Sequence, residues 1–155
     1  VSAQIGHAGP VANAASNGVP SLAPSRSFNP LSLKFNRAAT HDDIDRVVAA
    51  HGAATRMAIE VGFDAVEVHL GHNYLASAFL SPKLNKRRDE FGGSLVNRAD
   101  FPRRILAAVH EAAQAGSLSP PSSTCATATK AGSTWSTRSR SPRPSSATGT
   151  STRSS

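Results

Sequence analysis

Apolar and polar positions along this chain fall into two periodic blocks separated by irregular stretches. The first block follows Thr40: Ile44, Val47, Val48, His51, Ala54 and Ala58 recur three and four residues apart, the spacing of one face of a helix. Thr40 with Asp43 three residues on forms an N-terminal signature, and Asp42, Asp43 and Asp45 suit the positive end of the helix dipole. The pattern predicts a helix ending near Gly62. Beyond that glycine, "FDAVEVHL" (63–70) is short, bounded and rich in valine, which predicts a buried strand despite Glu67 at its centre. Residues 73–80 predict a short helix and 81–96 a charged, glycine-containing loop. The second block, Asn97–Ala115, predicts a helix with Phe101, Ile105, Leu106 and Val109 on one face. Upstream, Val1-Ser2-Ala3-Gln4-Ile5 alternates like a strand, and the Gly9-Pro10, Asn17-Gly18, Pro20, Pro24 and Pro30 punctuation predicts a long loop to about Ala39. Strand, helix, strand, helix in this order makes an α/β protein of about two βα units.

Composition divides the chain. Residues 1–116 balance 12 Lys and Arg against all 10 acids, whereas residues 117–155 hold 5 Lys and Arg, no acid, and 21 Ser or Thr among 39 residues, so the net charge of +7 is mostly a property of the second part. Such a stretch buries too little apolar surface to offset the entropy of ordering it, and the expectation for 117–155 is a low-complexity, disordered tail. Cys125, the single cysteine, excludes an intrachain disulfide and fits a reducing, cytoplasmic setting. No apolar run approaches the roughly 20 residues of a membrane helix. "VSAQIGHAG" carries neither an initiator Met nor a secretion signal, and reads as a chain entered within a domain.

Polar residues gather at the C-terminal ends of both predicted strands: Gln4 and His7 after the first, His69, His72 and Tyr74 after the second. In a β/α barrel that end collects ligand and catalytic groups. Two neutral imidazoles can aim N–H groups at one oxygen, and a nearby phenol can supply a proton to an adjacent carbon, a set suited to reducing an activated C=C bond. Taken alone, the two histidines read first as a pair of satisfied loop residues, and two are too few for a zinc site. Gln4 alone reads as a solvated strand end, and Tyr74 alone is as much a core residue as a catalyst.

"QIGHAGPVAN", "HLGHNYLASAFLSP" and "NKRRDEFGGSLVNR" are ordered motifs, and from about Val1 to about Glu111 the chain resembles the flavin-dependent Old Yellow Enzyme family, the NADH:flavin oxidoreductases. "GHAGPVANA" and "HLGHNYLASAFLSPKLN" look nearest to its dienoyl-CoA-reductase-like branch. The resemblance implies a (β/α)8 TIM barrel, here as a partial FMN-binding domain over 1–116, with NAD(P)H as hydride donor and a small enone-like or dienoyl acceptor. It further implies that Gln4 bonds the pyrimidine edge of FMN, that His69 and His72 grip the substrate carbonyl oxygen, and that Tyr74 protonates the α-carbon. His7 is left open between facing the cofactor and packing.

No metal site is expected. "FGGSLVNR" invites a phosphate-cradle reading, but GxGxxG and GxxxxGK[ST] are both lacking, and barrel phosphate sites follow later strands. Arg87, Arg88, Asp89 and Glu90 read either as a charge network shaping their loop or, equally, as solvated surface charges. At Gln114–Gly116 the family pattern gives way without a linker, which points to a slip of reading frame; regrouping GC-rich codons for 116–147 restores a stop-free strand, loop and helix where the next barrel strand belongs. Two βα units leave unpaired strand edges that invite aggregation and lack most of the flavin site, so this chain is expected to be an inactive fragment that binds FMN weakly or not at all. Two other function classes remain: nucleic-acid binding through Arg138, Arg140, Arg143 and Arg153, with Trp135 for stacking, and a non-catalytic interaction protein that dimerises over its open edges.

Overall fold

Thr40 starts the longest element for a reason visible in its side chain. Its Oγ1 accepts from the Asp43 backbone N–H, and Asp43 accepts from the Thr40 N–H in return, a complete capping box. The structure, a computed structural model, describes residues 1–115, 123–130 and 133–136. In chain order the elements are strand β1 (Ser2–Ile5), a 3-10 turn (Gly9–Val11), helix α1 (Ala14–Asn17), strands β2 (Leu22–Ala23), β3 (Ser27–Asn29) and β4 (Lys34–Ala38), helix α2 (His41–Glu60), strand β5 (Ala65–His69), helices α3 (Leu75–Leu80), α4 (Leu95–Arg98) and α5 (Asp100–Ala115), and strands β6 (Ser123–Lys130) and β7 (Ser133–Ser136).

The main sheet runs β1-β5-β6-β7, with β1, β5 and β6 parallel and β7 antiparallel to β6. The predicted βαβ unit is therefore present. Register pairs Ala3 with Val66, Gln4 with Glu67 and Ile5 with Val68. Alternation then sends Val66 and Val68 to one face, where both are buried, and Gln4, Glu67 and His69 to the other. The apolar face packs against Ile44 and Val47 of α2 and Phe101, Ile105 and Val109 of α5, all in one core with Leu75, Phe79 and Phe91. Phe79 and Phe101 lie 4.5 Å apart between ring centroids and are fully shielded.

Three expectations change. The stretch from Gly6 to Ala39 is not one loop: β4 pairs parallel with β2 and antiparallel with β3 in a small separate sheet. Its strands are only 2–5 residues long, and proline punctuation masks them in the pattern. The helix predicted for Asn97–Ala115 is two pieces, α4 and α5, with a break at Ala99. Pro102 explains the break, because it has no N–H for the Arg98 carbonyl and its ring crowds that carbonyl.

Within the stretch read as a disordered tail, Ser123–Lys130 and Ser133–Ser136 are strands, and β6 extends the parallel ladder beside β5. The outer edge of β5 offers unpaired backbone groups, and 123–130 contains three β-branched threonines and no proline. The remainder of 117–155, including Arg138, Arg140, Arg143 and Arg153, lies outside the described residues.

Candidate functional site

The end of β5 turns sharply. His72 and Asn73 have φ of 56° and 57°, left-handed backbone that histidine and asparagine tolerate better than most residues. Consecutive non-glycine residues in this region store strain, of the kind that collects at ligand sites. Its effect here is to fold His72 back onto His69. Their rings stack with centroids 5.0 Å apart, and His72 Nδ1 lies 3.0 Å from His69 Nε2. Tyr74, the N-cap of α3, stands edge-on to His69 at 4.7 Å between centroids and 6.4 Å from His72. His69 and Tyr74 are half-buried and His72 is exposed.

The three predicted residues thus meet, but not with both imidazoles aimed at an empty point. At 3.0 Å one ring nitrogen donates and the other accepts, so one of the two N–H groups is engaged within the pair. An acceptor atom that bonds both rings would insert between these nitrogens, with each ring then in the tautomer that donates. Gly6 lines the same spot: a Cβ there would come 3.0 Å from His69 Cβ, so a side chain at position 6 would push the imidazole.

Gln4 lies next to this group on the same face, and its Nε2 donates to Glu67 Oε1 at 2.7 Å. Its Oε1 has no partner among the described residues. Glu67 escaped the sequence reading because it looked like a misplaced charge in a buried strand; the 63-residue separation hides its pairing with Gln4. For an imide-bearing ring such as a flavin, an exposed amide with a free acceptor beside imidazole donors is a fitting but partial cradle.

His7 packs. Its Nδ1 accepts from the Gly9 N–H at 3.0 Å, and burial, then the nearby His51, holds it below the usual imidazole range. His51 is also lowered by burial, and bonds the Val47 carbonyl at 2.7 Å through Nδ1. Both line a cleft of about 500 Å³ between the end of β1 and α2, with Leu22, Arg46, Val47 and Ala54. His69, His72 and Tyr74 do not line this cleft, although Gly6, which touches His69, does.

The charged loop is structural at Arg87 and Asp89, whereas Arg88 and Glu90 are exposed, Glu90 with His41 as its partner. Arg87 clamps Asp89 through Nε and Nη2 and donates to the carbonyls of Pro24 and Ala39 at 3.1 and 2.6 Å. That contact holds the Asp89 carboxyl below its usual range. His41, Asp89 and Glu90 place one ligand atom each within 4.8 Å, but the oxygens of Asp89 already accept from Arg87 and the Phe91 N–H. In "FGGSLVNR" Gly92 serves packing, since a Cβ there would lie 2.1 Å from the Arg87 carbonyl oxygen, and Gly93 serves the turn, with φ of 72° and open space around it. Among the described residues no helix is long and apolar enough to cross a membrane.

A parallel ladder with helices on one face and polar groups at the C-terminal strand ends defines part of a β/α barrel with its ligand-binding end. The family model for NADH:flavin oxidoreductase / NADH oxidase matches residues 3–129, and the chain belongs to that family. The match runs beyond Glu111, where the motif resemblance fades, and through most of β6. A 4,4'-dithiodibutanoate disulfide reductase of Rhodococcus erythropolis is 52% identical over 111 residues, 72% of this chain and 28% of the relative. An NADPH dehydrogenase of Clostridium acetobutylicum is 41% identical over 90 residues, 58% of this chain and 26% of the relative. Among solved structures, Old Yellow Enzyme from Pichia sp. AKU4542 superposes with a TM-score of 0.68 at 32% identity, over 74% of this chain and 33% of that one. Morphinone reductase in complex with tetrahydroNAD gives 0.66 at 31% identity, over 70% and 35%. The chain therefore spans between about a quarter and just over a third of these proteins, and its fold is a segment of their TIM barrel.

Proposed function

We propose that this chain carries the substrate-gripping part of an FMN-dependent NAD(P)H oxidoreductase of the Old Yellow Enzyme type, acting on an activated C=C bond. The observation that carries the reading is the convergence of His69, His72 and Tyr74 at the C-terminal end of β5. His69 and His72 donate to the carbonyl oxygen of an enone-like acceptor and stabilise the enolate-like charge that develops there. The Tyr74 hydroxyl protonates the α-carbon. Gln4 holds the pyrimidine edge of the flavin. The chemistry that FMN supplies when bound is hydride transfer from NAD(P)H to the β-carbon. The described residues supply two βα units and one further parallel strand of an eight-stranded barrel, so these elements alone hold FMN only weakly. Fluorescence titration of FMN with the purified chain checks this, and a stoichiometric yellow complex overturns it.

The catalytic assignment is tested by grafting residues 1–115 in place of the matching segment of the Rhodococcus relative. The yellow chimera is assayed with NAD(P)H against cyclohex-2-enone and against 4,4'-dithiodibutanoate. Enone reduction that falls at least 100-fold in Tyr74→Phe, with flavin reduction by NAD(P)H unchanged, is the expected result for loss of a general acid. A chimera that reduces the disulfide but no enone sinks the protonation role of Tyr74.

A further inference from the structure

Gln4 and Glu67 sit directly opposite each other on the ligand face of the parallel β1–β5 pair, and the amide nitrogen of Gln4 is 2.7 Å from a Glu67 oxygen. A glutamine amide has two ends of nearly equal shape and opposite hydrogen-bonding sense. Which end meets a ligand decides what kind of ligand edge the site accepts. An ionised carboxylate only accepts, so the group of Gln4 that faces Glu67 must be its NH2, and its Oε1 is turned away from Glu67. The orientation follows from the chemistry of the partner alone. The carbonyl so presented has no other partner among the described residues, and neither side chain is buried.

We propose that Glu67 is a positioning residue that locks the Gln4 amide with its carbonyl outward, and that the pair thereby selects a ligand edge bearing an N–H donor beside a carbonyl, the imide edge of a flavin. The inference rests on the flavin reading given above. One amide serves both partners. With the N–H trans to Oε1 given to Glu67, Oε1 and the cis N–H would lie side by side, spaced to receive an N–H and donate to a C=O. A carboxylate against the amide also polarises it, strengthening Oε1 as an acceptor. Glu67 needs no contact with the ligand to act in this way. The role accounts for a charged residue at the centre of a strand whose neighbours Val66 and Val68 are buried.

The test uses the full chain and two substitutions. Glu67→Ala deletes the partner. Glu67→Gln keeps shape and bonding capacity but offers both an acceptor and a donor, so the Gln4 amide can lie either way. The first readout is the Gln4 side-chain amide in a 15N-resolved NMR spectrum, with the backbone amides as a folding control. In the native chain one Gln4 proton is shifted downfield by the charged acceptor; the shift is lost in Glu67→Ala, and in Glu67→Gln the amide shows two environments. Gln4 amide signals that are the same in all three chains overturn the positioning role.

The second readout is quenching of riboflavin against N3-methylriboflavin at high flavin concentration. Native chain preferring riboflavin by about fivefold, the worth of one neutral hydrogen bond, with the preference lost in Glu67→Gln, supports selection of the imide edge. Equal quenching of both flavins by the native chain overturns that selection while the NMR result still decides the role of Glu67. Where the chain alone binds too weakly to compare, the same comparison is made on the grafted chimera, and failure of both the chain and the chimera to bind either flavin overturns the flavin reading itself.

Discussion

Replacing Asp43 by alanine removes the group on which the start of α2 depends. Asp43 is 3% exposed, and its two oxygens accept from Arg37 at 2.6 and 3.0 Å, from Arg46 at 2.7 Å and from the N–H and hydroxyl of Thr40 at 2.9 and 2.8 Å. Breaking a fully buried ion pair costs about 3–5 kcal/mol because the abandoned charge has no water. Here the side chains of Arg37 and Arg46 are 46% and 75% exposed, so they rehydrate and the loss is smaller. Adding a lost cap, about 1 kcal/mol, to charge-assisted bonds worth about 1.5–3 kcal/mol gives a loss of roughly 3 kcal/mol. Urea unfolding of native chain and Asp43→Ala, followed by far-ultraviolet circular dichroism at pH 7, measures it. The pH dependence is a second check. Arg37 first, then Thr40 and Arg46, hold the folded carboxyl far below its unfolded value. A lowered folded pKa means that the unfolded chain binds the proton more readily. Its stabilisation is therefore complete above about pH 4 and drains away as the pH falls further. The two chains should converge in stability in acid. A loss under about 1 kcal/mol at pH 7, or one that does not change with pH, refutes the account of the Asp43 network.

Other perturbations probe separate parts of the fold. Gly9→Ala places a Cβ at φ 58°, 2.6 Å from the Leu75 nitrogen, where Leu75 N–H donates to the His7 carbonyl; a fall in Tm is expected, and an unchanged Tm contradicts the close approach of the Gly9–Val11 turn to α3. Phe101→Ala, fully buried against Phe79, should lose about 3–5 kcal/mol in the same urea assay, whereas exposed Leu95→Ala should stay within about 0.5 kcal/mol. A DNA read across the codons for Glu111 to Leu118 should show a displaced frame relative to intact relatives, and a continuous frame refutes the slip.

The legible elements were those whose signals are local. The Thr40–Asp43 capping box and the apolar stripe through Ala58 lie within one helix, and α2 begins and ends where they say. The buried strand at 65–69 shows itself through its valines. What pairs across distance was hidden. The small sheet joins strands of 2–5 residues whose hydrogen bonds, not their composition, define them, and β6 gains its partner from the free edge of β5. At the site, sequence spacing brought His69, His72 and Tyr74 to one turn, but the left-handed backbone at His72 and Asn73, which sets the imidazoles against each other, has no signature in the pattern.

The mutual bond of the two histidines bears on the proposed grip of His69 and His72 on a carbonyl oxygen. Inserting a carbonyl oxygen between His69 Nε2 and His72 Nδ1 breaks one neutral hydrogen bond, a net loss of about 1 kcal/mol, and makes two new ones. The pair is thus a resting arrangement rather than a block, and a proton exchanged with solvent suffices to change its tautomer. The larger deficit is geometric. Gln4 and Glu67 lie on the open face of a sheet in which β1 has only β5 beside it, and nothing among the described residues closes over them to exclude water. Hydrogen-bond donors gain most of their power over a developing charge where water is excluded. Restoring the rest of the barrel around His69, His72 and Tyr74 should therefore do more for reactivity than any change within the three.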